Sequence, residues 1–191
     1  MAASPMPRLT PEEYLAIERA AEFKSEYYDG QMFAMAGGTL PHSILPMRLA
    51  AALINGLGSR GCEVAGSDLK IRVSPKGPFV YPDLTVYCGE PQLADDYRDV
   101  LLNPRAVFEV LSKSSEGYDR GLKFEFYRGI ESLQEYVIVS QSKPLIEVYL
   151  RQPDSKWLLS SYSGMDAVCP LASIDCSIRL VDVYQRVKLG D

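Results

Sequence analysis

Apolar positions in this chain recur in two periods, one helical and one alternating, and their order predicts a mixed α/β protein. Thr10-Pro11-Glu12-Glu13 opens the first helix: Thr10 can cap, Pro11 suits the first helical position and Glu13 completes a capping box. Tyr14, Ile17 and Ala21 then share a face, which predicts a helix to about Glu22. Phe23 to Met35 alternates loosely about Asp29-Gly30, the pattern of two short strands joined by a tight turn. After the break at Gly37-Gly38, the residues Ile44, Leu45, Leu49, Leu53 and Leu57 return at helical spacing. They predict a second helix from near Pro41 to about Leu57, ended by Gly58 and Gly61.

The next runs read as strands: Cys62–Ala65, Leu69–Val73, Val80–Tyr87 and, after a charged loop from Gly89 to Asn103, Ala106–Leu111. Ser112–Ser115 is rich in capping residues and leads into a predicted helix from Glu116 to Arg128. Tyr136–Ser140, Ile146–Leu150 and Trp157–Tyr162 complete the sheet, and Ile178–Val187 is either a last strand or a short helix. The expectation is one α/β domain over residues 1–191, with a mixed sheet and residues 1–8 as an N-terminal arm.

Composition narrows the partners. A net charge of −5 argues against a broadly basic nucleic-acid-binding surface. The middle of the chain, Arg48 to Arg128, is nevertheless balanced at eleven basic and eleven acidic residues, so a local phosphate-binding patch is allowed there. The cysteines Cys62, Cys88, Cys169 and Cys176 form no CxxC pair, and with one histidine there is no zinc-finger spacing. Cys62 and Cys88 lie in strand-like runs and read as reduced core residues, which implies an intracellular compartment. Met1–Thr10 has no apolar run, and no stretch reaches the roughly 18 apolar residues of a membrane span. A soluble, cytoplasmic protein without a membrane partner is expected.

Candidate chemistry begins with acids in buried runs. Along Ala106–Leu111, Val107, Glu109 and Leu111 share one face, so Glu109 stands on an otherwise apolar surface. Such an acid is paired, hydrogen-bonded or metal-bound. The structural account satisfies it with backbone or with Arg105; the functional account makes it a ligand. Asp83, in Pro82-Asp83, precedes the apolar run Leu84–Cys88, where turn chemistry alone would explain it. Together, on neighbouring strands, Asp83 and Glu109 would form a hard-oxygen site for Mg²⁺ or a similar cation. Asp119, Lys123 and Tyr127 follow at four-residue spacing, so Lys123 is either a surface partner of Asp119 or a cation over that site. Glu26 reads as an exposed strand residue, and His42 as a capping or surface residue in a first helical turn. No GxSxG elbow, Walker loop or dinucleotide fingerprint is present.

The order of these residues is more specific than any of them alone. Glu26-Tyr-Tyr-Asp29-Gly30, His42, Gly66-Ser67-Asp68-Leu69-Lys70, Tyr81-Pro82-Asp83, Glu109-Val110-Leu111-Ser112, Tyr118-Asp119 with Lys123 and Tyr127, and Glu135-Tyr136 follow one another over roughly Leu9 to Leu150. This order resembles the Uma-two family of endonucleases in the PD-(D/E)xK superfamily. The resemblance implies a restriction-endonuclease-like fold with a mixed central sheet flanked by helices. It also implies that Asp83 and Glu109 hold Mg²⁺ or Mn²⁺. The superfamily lysine, two residues after the glutamate, is replaced here by Leu111. The family's lysine in the following helix matches Lys123, and its N-terminal acid matches Glu26, which would hold a water or a second cation. Gln31 and Ser140-Gln141 depart from the family pattern.

The expectation is therefore a metal-dependent endonuclease acting on phosphodiester bonds, in DNA before RNA, with Glu26, Asp83, Glu109 and Lys123 as its catalytic set and a homodimer as its assembly. Two rivals remain open from sequence: a nucleic-acid-binding module of the same fold without catalysis, and a structural or dimerisation protein.

Overall fold

The capping box at Thr10 is complete in the computed structural model, which describes residues 8–189: the Thr10 side chain accepts from the Glu13 N–H, and Glu13 accepts from the Thr10 N–H. Helix α1 (Pro11–Ala20) buries Tyr14 and Glu18. Ile17, expected inside, is 44% exposed, and Ala21 lies beyond the helix end. Glu18 takes the inner position because its carboxylate accepts from the Ser25 N–H and the Tyr81 hydroxyl. The expected arm falls outside the described residues except for Arg8, which pairs with Asp29 at 2.6 Å.

Strands β1 (Ser25–Tyr28) and β2 (Gln31–Ala34) form the expected hairpin. Its turn residues Asp29 and Gly30 both have positive φ, 48° and 78°, as an Asp-Gly turn matching strand twist requires. Helix α2 (Leu40–Leu57) buries Leu45, Leu49, Leu53 and Leu57, one per turn. Each contributes roughly 1.5–3 kcal/mol of apolar burial.

The chain continues through β3 (Cys62–Gly66), β4 (Lys70–Arg72), β5 (Phe79–Val80), β6 (Leu84–Cys88), β7 (Val100–Leu101) and β8 (Ala106–Leu111). Two of these correct the sequence reading. The single strand expected over Val80–Tyr87 is broken at Tyr81-Pro82-Asp83, since Pro82 has no N–H to give a ladder. At that break the chain leaves one sheet and enters another, with Asp83 at the crossing. The expected loop Gly89–Asn103 contains β7, a two-residue strand too short to produce a readable alternation.

After β8 come α3 (Glu116–Tyr118), a π turn (Asp119–Lys123) and α4 (Phe124–Arg128), in place of the uniform helix expected. Strands β9 (Glu135–Ser140), β10 (Leu145–Arg151) and β11 (Trp157–Ser163) follow. An unexpected strand, β12 (Val168–Leu171), comes next, and the last expected segment, Ile178–Val187, holds the end of β13 (Cys176–Arg179) and then α5 (Leu180–Tyr184).

The strands form a six-stranded mixed sheet, β11-β10-β9-β8-β6-β3, a five-stranded mixed sheet, β2-β1-β5-β4-β7, and the β12-β13 pair. Strand β8 is buried along its whole length. Phe108 and Val110 join the core beneath α2, while Val107 and Leu111 join the core beneath α4. Glu109 shares the Val107 and Leu111 face and is thereby aimed at the α3–α4 segment. No helix among the described residues is long and apolar enough to cross a membrane.

Cys62 and Cys88 are not reduced. They stand opposite each other in the antiparallel β3–β6 ladder and form a disulfide. Both lie in strands as expected, but their register, which spacing does not reveal, brings the sulfurs together. The inference of an intracellular compartment from reduced thiols loses these two cysteines; Cys169 and Cys176 are free and buried.

A charge cluster ties α1 to β4. Asp99 accepts from Arg19 at 2.7 Å and from the buried Lys70 at 2.8 Å, and these partners, Arg19 first, hold its carboxyl at about 2, below its ordinary 3.8. A depressed carboxyl contributes stability above its unfolded pKa, and that contribution is lost as pH falls through the folded value. Asp99→Asn should therefore lower stability at neutral pH, by about 1 kcal/mol after solvent screening of this partly exposed cluster. The variant should also lose part of the wild-type decline between about pH 4 and pH 2. Denaturant melts across that range check this; parallel acid limbs in the two proteins would contradict it.

Candidate active site

Asp83 sits one residue before β6, and Glu109 one residue after Phe108, the β8 partner of Leu84. Extending that antiparallel register sets the two acids opposite each other. Asp83 is fixed by the backbone: its Oδ2 accepts from the Val110 N–H at 2.7 Å. Its Oδ1 lies 3.4 Å from His42 Nε2. Glu109 is 3% exposed, and its Oε1 accepts from the Tyr127 hydroxyl at 2.8 Å and lies 2.8 Å from Lys123 Nζ. No protein hydrogen bond reaches Glu109 Oε2 among the described residues. Each carboxylate is anchored through one oxygen and less encumbered at the other.

Lys123 is 5% exposed, so it is not a surface residue. Its amine is 2.8 Å from Glu109, 3.4 Å from Glu26 and 3.8 Å from Asp119, and 3.4 Å from the Tyr81 carbonyl. The pair with Asp119 weighed from sequence is present at 3.8 Å, but buried and the longest of the three, since Asp119 is itself buried. The π turn supplies this placement: it bulges the helix at Asp119–Lys123, and the Tyr136 hydroxyl takes up the Asp119 carbonyl at 2.9 Å. Arg105, a possible partner of Glu109 in the sequence, instead donates to the Ser173 carbonyl.

Glu26 is buried, contrary to its reading as an exposed strand residue. Its Oε1 accepts from the Tyr81 N–H at 3.0 Å and its Oε2 from the Tyr118 hydroxyl at 2.9 Å. With both oxygens engaged, Glu26 faces Lys123 as a fixed acceptor. His42 was also misjudged: it lines the same cleft, 3.4 Å from Asp83. Gly38 makes room for it, since a Cβ there would lie 2.5 Å from the imidazole Cδ2. The signals were in the sequence, as His42 in the family order and the Gly37-Gly38 pair before it, but neither carried a direction in space. Tyr118 and Tyr127, whose hydroxyls donate to Glu26 and Glu109, stand in the same family order, again without a direction in space.

Glu26, Asp83, Glu109, Asp119, His42 and Lys123 all line one cleft of about 540 Å³. Four carboxylates there face one lysine. Burial pushes Glu109 well above the usual carboxylate range, opposed chiefly by Lys123, and burial raises Asp119 as well. Burial works against the charge on Lys123, but Glu109, Glu26 and Asp119 outweigh it and hold the amine protonated. The hydrogen bond to Asp83 raises His42 above its ordinary value. One ammonium cannot neutralise this set, and the excess of negative charge on oxygen donors is what a hard divalent cation relieves. Among the described residues no group of three or more His, Cys, Asp or Glu is arranged to hold a metal. The fit is to a cation bound through two carboxylates, with its other positions left to water and substrate oxygens, a habit of Mg²⁺.

The fold that carries this cleft is of the restriction-endonuclease-like class, with mixed sheets flanked by helices. The chain belongs to the Uma2 family, whose model, described as "Putative restriction endonuclease", matches residues 11–179. It is 39% identical over 189 residues to the uncharacterized Synechocystis protein slr1290, covering 96% of this chain and 95% of that one. A second uncharacterized Synechocystis protein, sll1609, is 36% identical over 159 residues, covering 83% of this chain and 90% of that one. A crystal structure from Anabaena variabilis, described as "a putative nuclease belonging to DUF820", superposes with a TM-score of 0.73 at 16% identity, over 92% of this chain and 97% of that one.

The buried pair makes a test of stability. Lys123→Met leaves Glu109 with no cation beside it and should cost about 3–5 kcal/mol. Adding Glu109→Gln should recover part of that loss, with a coupling of about 0.5–3 kcal/mol in the double-mutant cycle. Urea denaturation of the four proteins measures it, and strict additivity would separate the two residues.

Proposed function

We propose that this protein is a metal-dependent endonuclease that hydrolyses phosphodiester bonds in DNA. One observation carries the reading: two strand-anchored carboxylates, Asp83 and Glu109, converge on a cleft whose single lysine is buried against Glu109. Asp83 and Glu109 would hold the cation, each through the oxygen that its backbone or tyrosine bond leaves freer. Bound there, Mg²⁺ or Mn²⁺ supplies Lewis acidity at the scissile phosphate and eases deprotonation of the attacking water.

Every other contribution comes from the chain. Lys123 presents a fixed positive charge where a phosphate oxygen becomes more negative in the transition state. It is preorganised, since Glu109, Glu26 and the Tyr81 carbonyl hold the amine before substrate arrives. Glu26 acts as a positioning residue for Lys123. This departs from the water or second-cation role suggested by the family resemblance, because both Glu26 oxygens already accept hydrogen bonds. We also propose the homodimer and the cytoplasmic setting expected from sequence; the cleft takes all its groups from one chain.

Purified protein should cut DNA with Mn²⁺ or Mg²⁺ and stop on chelation. Asp83→Ala and Glu109→Ala should each lose cleavage by orders of magnitude. Lys123→Ala should lose about 10²–10³ in turnover with a smaller change in DNA affinity, since its contact strengthens in the transition state. Metal-independent cutting, or full activity in Asp83→Ala, would defeat the proposal. Salt-sensitive binding without cutting under any metal would favour a binding module.

The same site links metal to stability. A cation bound only by the folded state should raise the melting temperature, by about 2.7 kcal/mol of added stability at a hundredfold excess over its Kd. Glu109→Gln should show a smaller rise in the same titration. An equal response in both proteins would remove Glu109 from the site.

A further inference from the structure

The wall of the cleft differs in kind from its floor. In the β1–β2 hairpin Glu26 pairs with Phe33 across the ladder, and Tyr28 lies two residues on, so all three project from one face. That face lines the cleft, and Met35 extends it. Phe33 is 49% exposed and Met35 39% exposed, whereas Glu26, Glu109 and Asp119 at the floor are buried and Asp83 is half-buried. The Tyr28 ring is braced against Phe126, with centroids 4.7 Å apart. An aromatic, solvent-facing wall is thus continuous with the carboxylates, and its Tyr28 is held in place before anything binds.

Charge narrows what this wall can receive. Lys123 is the only lysine or arginine among the residues lining the cleft, and its amine is already bonded to Glu109. A protein that grips duplex DNA neutralises several phosphates with Lys and Arg; this chain is acidic overall, and the residues that line the cleft supply one such group. Stacking of a base on an aromatic ring adds affinity beyond that of phosphate neutralisation, and only a base released from pairing offers its face. The volume, about 540 Å³, falls in the range of sites that take one small-molecule-sized unit, enough for a nucleotide.

Resting on the nuclease reading of the same floor, we propose that the substrate is single-stranded or locally unpaired DNA, with a base next to the scissile phosphate seated against Phe33 and Met35. Phe33 then determines which DNA is cut, and the carboxylates cut it. Tyr28 backs the wall and Lys123 faces the phosphate.

A forked DNA with a paired stem and unpaired arms tests this with Mn²⁺, next to the same fork in RNA. Anisotropy with labelled oligodeoxythymidine in chelator reads binding separately from hydrolysis. Cuts should fall in the DNA arms. Phe33→Ala should weaken oligodeoxythymidine binding about 5- to 150-fold and raise KM, the range of one lost base stack. Phe33→Trp should retain binding, and Leu159→Ala, a similarly exposed residue on β11, should change nothing. Thermal melts of each variant separate loss of binding from loss of fold. Cutting of the stem as readily as the arms, preference for the RNA arms, or wild-type binding by Phe33→Ala would overturn the substrate assignment and leave the nuclease reading standing. Phe33-dependent binding without cutting under any metal would uphold the assignment and defeat hydrolysis. Neither binding nor cutting would overturn both.

Discussion

One buried lysine shared among three carboxylates is the constraint on which the site depends. Lys123 contacts Glu109, Glu26 and Asp119 inside 4 Å with almost no access to water. An arrangement of this kind is costly to assemble, since each ion gives up its hydration and only good geometry returns it. The surrounding structure supplies that geometry. β8 delivers Glu109 on the correct face, the hairpin delivers Glu26, and the π turn brings Lys123 and Asp119 down between them. Three tyrosine hydroxyls, from Tyr118, Tyr127 and Tyr136, fix the acids and the turn that carries them. One ammonium does not balance four carboxylates, and the proposed divalent cation would relieve the excess.

Much of this was legible because burial writes itself into pattern. Alternation along Ala106–Leu111 placed Glu109 opposite Phe108 and Val110, and the two cores on either side of β8 follow that division. The capping box at Thr10 and the Asp29-Gly30 turn are local chemistry and came out as read. What failed depended on distance through space. Cys62 and Cys88 are 26 residues apart and join only because β3 and β6 pair in one register. Glu26 and His42 looked exposed because the tyrosine, the glycine and the aspartate that receive them come from other elements. Pro82 was visible in the sequence, yet its effect, passing the chain from one sheet to the other, requires both sheets to exist.

The acidity of the chain reconciles with a phosphodiester substrate once the roles are separated. Carboxylates at the floor suit a cation, and a cation suits a phosphate; the protein's own positive charge is needed at one point only. In the proposed substrate complex the aromatic wall would add base stacking to that single positive charge. Floor and wall meet in the β1–β2 hairpin, where Glu26 and Phe33 are cross-strand partners.

The central claim is that Asp83 and Glu109 act as one cation site. Anomalous diffraction from crystals grown with Mn²⁺ tests it most directly. The account predicts one peak between the two carboxylates, with metal–oxygen distances of about 2.0–2.6 Å and Lys123 still bonded to Glu109. A peak elsewhere, or none in crystals that also hold bound DNA, would contradict it.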